Sequence, residues 1–346
     1  MVSYDNRVFV RSEKNGVTVY EKKSNLYRFY KGISISQLQP CRTEAELLEY
    51  LDARKEAISG EIAFSAPFHI NWLIEETCNL DCIYCFAHDK MRHHHAGDAI
   101  RRTAEHILSL GILNVGLSGG EPTMNPYLAD VIGLLEGKCS INLDTNGTLP
   151  CLSNMASLLK RANVLVRVTV DAVDRDTLQR LRPGKTNFDQ LSAIRHNIRA
   201  MLDNGVPLMV HTVVTRYNID SLHLIAEELL RLGVRRWHMY GVNYAEKCKN
   251  IYSDIRLSNE ELMKVYMDVK SVYGTQIEMS VYFDENSFSA NAVLLVNCEG
   301  EFYLDSITDG IRYIGADPTA PTLEEICTVL DIPLHCKGYL WTPRCV

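Results

Sequence analysis

From about residue 68 onward, apolar stretches of strand length alternate with segments of helical period, and nothing else in the 346-residue chain restricts its fold as strongly. The strand-like runs are 68–74, 113–118, 139–145, 164–170, 207–214 and 234–240, and between them lie helical candidates at 98–110, 127–137, 152–161, 187–204 and 220–232. Such alternation predicts an α/β fold, a parallel sheet with helices packed outside it. Gly111, Gly205 and Gly233 each follow a periodic run, where a left-handed helix terminator is needed. Six β/α units suit an incomplete TIM-like barrel and a doubly wound open sheet equally, because periodicity does not report strand order. In both, ligands gather at the carboxyl ends of the strands. The Cys78 to Cys85 cluster, Gly119-Gly120-Glu121-Pro122 and Thr145-Asn146-Gly147 all fall directly after a predicted strand.

Three units follow from this pattern: 1–62, 63–250 and 251–346. In the first, 7–32 reads as a β-meander, with VFVRSE and VTVYEKK flanking Lys14-Asn15-Gly16, a tight hairpin signal. A helix over 43–58 follows. In the third, Ser258-Asn259-Glu260-Glu261 has capping-box spacing and opens a helix to about residue 273. QIEMSVY, AVLLVN and EFYLD then read as strands, with Glu299-Gly300 as the turn between the last two.

Composition narrows the function. A formal net charge of -7 offers no basic stripe for a phosphate backbone, which disfavours nucleic acid. No apolar run approaches the roughly 20 residues of a membrane span, and the start lacks a signal-peptide core, so the expected compartment is the cytoplasm. Eleven cysteines, an odd number, then point to metal binding rather than to a disulfide framework. Three of them, Cys78, Cys82 and Cys85, crowd into eight residues. Structural zinc usually presents two separated CxxC pairs, and only Cys82 and Cys85 have that spacing here. Three thiolates on a cubane cluster leave one iron with an open position for a substrate or cofactor.

The spacing CxxxCxxC after the first barrel strand resembles the signature of the radical S-adenosylmethionine (SAM) superfamily. Further segments match in order: Ser118-Gly119-Gly120-Glu121-Pro122, Leu143-Asp144-Thr145-Asn146-Gly147, and Val168-Thr169-Val170-Asp171 followed by Leu181-Arg182-Pro183-Gly184. Together they cover about half of the chain. The resemblance implies a [4Fe–4S] cluster on Cys78, Cys82 and Cys85. It implies Tyr84 against the adenine of S-adenosylmethionine, Gly119, Gly120 and Glu121 at the methionine ammonium, and Asn146 near the cofactor. It places Thr169 at the ribose and Arg182 at the methionine carboxylate, with Arg180 as a rival, and the Val214 backbone beside the adenine.

The fold implied is a partial (β/α)6 TIM-like barrel carrying an amino-terminal meander and helix and a carboxyl-terminal α+β extension of SPASM or twitch type. The activity implied is reductive cleavage of S-adenosylmethionine to a 5′-deoxyadenosyl radical that takes a hydrogen atom from a substrate, with flavodoxin or ferredoxin as the electron source. Resemblance to the SPASM and twitch branch favours a ribosomally made peptide as substrate. A small sugar, nucleoside or antibiotic precursor is the alternative, and a non-catalytic metal-binding scaffold is a third reading. Cys298, Cys327, Cys336 and Cys345 number enough ligands for an auxiliary iron–sulfur cluster, but their spacing departs from the branch and equally fits buried thiols. The amino-terminal meander suits either leader-peptide binding by strand addition or packing. His93-His94-His95 is a candidate for substrate contact, and Cys248 for hydrogen-atom donation.

Overall fold

The computed structural model describes residues 1–23, 26–53, 65–85, 97–184, 188–283, 292–306, 310–331 and 335. At the amino end, β1 (Val2–Tyr4), β2 (Val8–Glu13), β3 (Gly16–Glu21) and β4 (Leu26–Lys31) form an antiparallel meander in sequence order. The expected hairpin is present, with Glu13 facing Gly16 in the ladder. A Cβ on Gly16 would meet the Tyr30 carbonyl oxygen at 2.2 Å, so this glycine serves close approach of β4. β1 carries too few residues to show a period. Its turn is made by Asp5 and Asn6, both at φ 53, residue types that tolerate left-handed backbone.

The six apolar runs become β5 (His69–Glu75), β6 (Asn114–Gly119), β7 (Ser140–Thr145), β8 (Leu165–Thr169), β9 (Leu208–Val213) and β10 (Arg236–Tyr240). Each pairs in parallel with the next. The order never reverses, so there is no topological switch point, which removes the doubly wound alternative. The arrangement is a partial (β/α)6 barrel. Helices Gly97–Ser109, Leu128–Leu135, Gln190–Asp203 and Leu222–Leu232 bury residues at three- and four-residue spacing, such as Leu222, Ile225, Ala226 and Leu229. The helix expected at 152–161 is two pieces, Cys151–Asn154 and Ala156–Arg161. A further short helix, Arg175–Leu181, is capped by Asp174, whose carboxylate accepts from the Thr177 N–H at 2.8 Å.

The barrel strands alternate sharply. Ile70, Trp72, Ile74, Val166, Val168 and Val210 have no exposure and join the helices in one core. The opposite face carries Asn71, Asn142, Asp144, Arg167, His211 and His238. A parallel sheet buried on both sides would read as continuous apolar runs, so this polar face is the lumen.

The carboxyl-terminal segment supplies both edges of the ten-stranded sheet. After the box-capped helix Asn259–Tyr273, β11 (Glu278–Tyr282) adds in parallel to β10. β12 (Leu294–Val296) adds in parallel to β5 at the other side, followed by antiparallel β13 (Phe302–Ser306) and β14 (Gly310–Tyr313). A second capping box at Thr322 opens helix Leu323–Val329. Among the described residues, no helix is long and apolar enough to cross a membrane.

The meander packs on the amino-terminal end of the barrel. Buried Arg11 donates to the carbonyls of Pro67 (2.7 Å), Ala66 (2.8 Å) and Gly111 (3.1 Å). The Tyr20 hydroxyl accepts from Asn114 Nδ2 at 2.9 Å. Lys22 Nζ donates to the Ile141 and Asn163 carbonyls, and burial lowers its pKa to about 7. Between that value and the ordinary lysine range near 10, only the unfolded chain holds the proton. Stability contributed by this site therefore rises with pH across the window and is lost as pH falls toward 7. In Lys22→Met this slope should disappear, which denaturant midpoints of variant and parent from pH 7 to 10 would reveal as a converging difference.

Candidate functional site

The carboxyl end of β5 runs into the cysteine loop, and a second segment after β8 fixes its course. Leu80 bridges Gly184, the Asp81 N–H donates to the Pro183 carbonyl (2.8 Å), and the Ile83 N–H donates to the Leu181 carbonyl (3.0 Å). The Cys85 N–H closes a turn on the Cys82 carbonyl at 3.2 Å. Cys78, Cys82 and Cys85 form no disulfide and are partly buried. The Leu80 N–H points at Cys78 Sγ (3.4 Å), as does Asn146 Nδ2 (3.8 Å). Burial pushes the Cys82 thiol up to about 12, opposed by the Arg182 charge and reinforced by the neighbouring Cys85 and Cys78.

The glycines after β6 do something local before any ligand is considered. A Cβ on Gly119 would meet the Glu75 carbonyl at 2.0 Å, and one on Gly120 the Thr77 carbonyl at 2.2 Å. Only glycine lets this backbone lie against the segment that leads into Cys78. The Gly120 and Glu121 N–H groups bond the Glu75 and Thr77 carbonyls at 2.7 and 2.8 Å. Glu121 is fully buried. Its Oε1 accepts from Thr123 Oγ1 (2.5 Å) and Thr145 Oγ1 (2.6 Å), and its Oε2 accepts from the Asn146 N–H (2.7 Å). The carboxylate thus ties the β6 loop to the β7 loop, while Oε2 keeps room for a further donor. Asn146 in turn donates to Asn79 Oδ1 at 2.8 Å.

Arg182 sits where β7 and β8 end. Its guanidinium donates to the carbonyls of Thr169 (2.7 Å) and Asn146 (2.9 Å) and lies 3.6 Å from Asp171 Oδ2. Both charged groups are essentially unexposed. Arg182 Nε finds no acceptor among the described residues. The rival, Arg180, is exposed and lies over the Tyr217 ring, 3.3 Å from its centroid. Asp171 also accepts from the Tyr84 hydroxyl and from the Val213 N–H (2.8 Å). Tyr84 thereby bridges the cysteine loop to β8 and β9. Val214 is fully buried, and its N–H bonds the Tyr240 carbonyl at 2.8 Å. Thr169, partly exposed, faces the lumen at the end of β8.

All eleven site residues expected from the motifs therefore lie at the carboxyl ends of β5 to β9. Asp171 and Asn79, which link them, stand inside the matched segments but carry no signal beyond following a strand or a cysteine. Buried Asn218 is invisible in the same way, although its amide donates to the Asp171 and Val213 carbonyls. Cys248 is fully buried, donates to the Ala245 carbonyl (3.3 Å), and packs in an apolar cluster beside Ile83 and Tyr84. Cys298 donates to Glu76 Oε1 at 2.7 Å, and Cys327 is on helix Leu323–Val329. Cys336, Cys345 and His93 to His95 lie outside the described residues.

The donor set fits an iron–sulfur cluster. Three soft sulfur donors, none in a disulfide, stand partly buried on one loop, and burial makes the thiolates of Cys78 and Cys82 costly unless a positive centre balances them. Among the described residues, no three His, Cys, Asp or Glu side chains converge on one ion. A cubane makes no such demand, because it offers each cysteine a different iron.

Residues 73–239 match the family model described as the Radical SAM superfamily. This segment is a radical SAM domain. It is 28% identical over 206 residues to a probable GTP 3′,8-cyclase of Saccharolobus solfataricus, an alignment spanning 56% of this chain and 63% of that relative. Among solved structures, SuiB of Streptococcus suis bound to precursor peptide SuiA superposes with a TM-score of 0.68 at 13% identity, covering 99% of this chain and 92% of SuiB. anSMEcpe with bound AdoMet and Cp18Cys peptide superposes with a TM-score of 0.60 at 18% identity, covering 80% of this chain and 84% of that one. These two likenesses show the fold of the chain.

Proposed function

We propose that Cys78, Cys82 and Cys85 hold a [4Fe–4S] cluster and that S-adenosylmethionine lies across the ends of β6 to β9. When bound, the reduced cluster supplies the electron that cleaves the sulfonium and releases a 5′-deoxyadenosyl radical. Asn146 and the Leu80 N–H stabilise Cys78 as thiolate. Arg182, with a free Nε–H and a buried charge, orients an anionic carboxylate, and Glu121 Oε2 accepts from an ammonium. Gly119 and Gly120 keep that approach open. Tyr84, anchored to Asp171, and the Val214 backbone form the walls of the adenine site, with Thr169 at the ribose. One observation carries this reading: three cysteines in no disulfide share a loop whose backbone bonds the segment carrying a fully buried guanidinium.

The substrate we propose is a peptide. The likeness to SuiB runs through almost the whole chain, including the strands that complete the sheet edges, and both compared structures hold peptides. The match to the cyclase is confined to 206 residues and to 63% of that relative's length. A small one-electron carrier of the flavodoxin or ferredoxin kind would reduce the cluster.

Anaerobic reconstitution with iron and sulfide, then reduction with dithionite in the presence of S-adenosylmethionine, tests the reading. Iron and sulfide in equal amounts, an oxygen-sensitive visible absorption, and matched yields of methionine and 5′-deoxyadenosine are expected. Stable zinc in place of iron, or an intact sulfonium after reduction, would refute it.

A further inference from the structure

A group of lumen side chains outside the cofactor network comprises Asp144, Arg167, His211, His238, Tyr240 and Tyr282. All are partly exposed, whereas the alternating Val166, Val168, Val210, Trp237 and Met239 are fully buried. The lumen is therefore open to a ligand at this level. Arg167 Nη2 pairs with Asp144 Oδ2, and their side chains keep 18% and 31% exposure. Arg167 Nε has no acceptor among the described residues. The other rings form a continuous wall. His211 and His238 stack at 5.6 Å and 8°, Tyr240 and Tyr282 stack at 5.0 Å and 12°, and His211 lies 4.9 Å from Tyr240.

Burial, with Arg167 and Arg236 nearby, keeps both imidazoles neutral, His238 near 3 and His211 well below its usual value. Burial likewise keeps both phenols protonated. The wall thus presents neutral N–H and O–H donors around an under-used guanidinium. Its charges cancel: Arg167 faces Asp144, and Arg236 lies 3.5 Å from Glu278. A polyphosphate would find no net positive charge here, whereas amide carbonyls would find donors and aromatic surface.

We propose that Arg167, held by Asp144, is the specificity-determining residue of the lumen and donates to the carbonyls of an uncharged peptide segment. This rests on the radical SAM reading of the adjacent site and on a peptide substrate.

Displayed libraries of random short peptides, selected on the reconstituted full-length enzyme with S-adenosylmethionine, provide the probe. Affinities of the selected peptides are then measured by fluorescence anisotropy. Arg167→Leu should weaken binding about tenfold or more, as loss of a charged donor does. Arg167→Lys keeps Asp144 paired but loses the fork, and should retain part of the affinity if both variants fold. GTP should not compete. Peptides that bind Arg167→Leu and Arg167→Lys as tightly as the parent, failure to select any peptide, or GTP binding that depends on Arg167 would each overturn the inference. Peptide-free 5′-deoxyadenosine formation by the parent separates the two levels. If it occurs while binding ignores Arg167, only this inference falls; if it is absent, the radical SAM reading falls first.

Discussion

Cys82→Ser should abolish 5′-deoxyadenosine formation while leaving the chain folded. Cys82 is the central thiol of the three, with Arg182, Cys85, Asp171 and Cys78 as its electrostatic neighbours. A serine hydroxyl has nearly the same shape, but it is a hard, weakly acidic oxygen donor and does not replace a soft thiolate on iron. Loss of this proposed direct ligand should exceed the roughly 10–100-fold penalty typical of losing an outer partner, and bound iron should fall with it. The fold does not depend on the thiol, because the loop is held by backbone bonds from Asp81 and Ile83 to Pro183 and Leu181. Iron content, visible absorption and product formation would be compared with far-ultraviolet circular dichroism. Product formation at more than about a tenth of the parent rate would remove Cys82 from the ligand set.

Arg182→Met should produce the largest loss of stability of any single change discussed. The guanidinium and Asp171 are both buried, and the arginine also satisfies the Thr169 and Asn146 carbonyls. Removing it strands a buried carboxylate and two carbonyls. Breaking one partner of a buried pair typically costs about 3–5 kcal/mol. The Asp171→Asn, Arg182→Met double variant should recover part of that loss, since the stranded charge is gone. Urea midpoints of the four proteins would decide. A single-variant loss under about 1 kcal/mol, the range of an exposed pair, would show that Asp171 is not held as an ion here. The same side chain is proposed to orient the methionine carboxylate, so S-adenosylmethionine affinity should fall in both variants carrying Arg182→Met even where stability is partly restored.

Much of this molecule is local in origin. Strands β5 to β10 fall within one or two residues of their apolar runs, because residues that occupy the outward face of each strand must be apolar to meet the helices. Thr43, Ser258 and Thr322 cap the helices they precede, through bonds that span three residues. Gly111, Gly205 and Gly233 take φ of 73, 70 and 90 after helices, a conformation set by the absence of a Cβ. The place of the candidate site was legible for a related reason: a ligand at the strand ends needs its residues directly after strands, and those positions are adjacent in sequence to what predicts the strands.

Other features depend on who meets whom across the chain. Periodicity does not say whether β12 pairs with β5, nor that β11 and β14 end up on opposite edges of one sheet. The helix break at Met155 and the two-residue turn at Asp5 and Asn6 are too short to alter a period. Residue type named Arg182 as a cation and Glu121 as an acid. Packing alone determined that Arg182 is bonded to Thr169 and Asn146, that Arg180 lies over Tyr217, and that Glu121 spans two loops. The polar lumen belongs to the same class. Asp144, Arg167, His211 and His238 read as scattered polar interruptions of apolar strands until the sheet turns them to one face. By itself, the order of residues determined the repeating strand and helix units and the cysteine loop at the first strand's end, since both arise from neighbours within one turn or one pleat. The tertiary structure decided sheet order, the buried Arg182–Asp171 pair and the open lumen wall, since each depends on contacts between segments far apart along the chain.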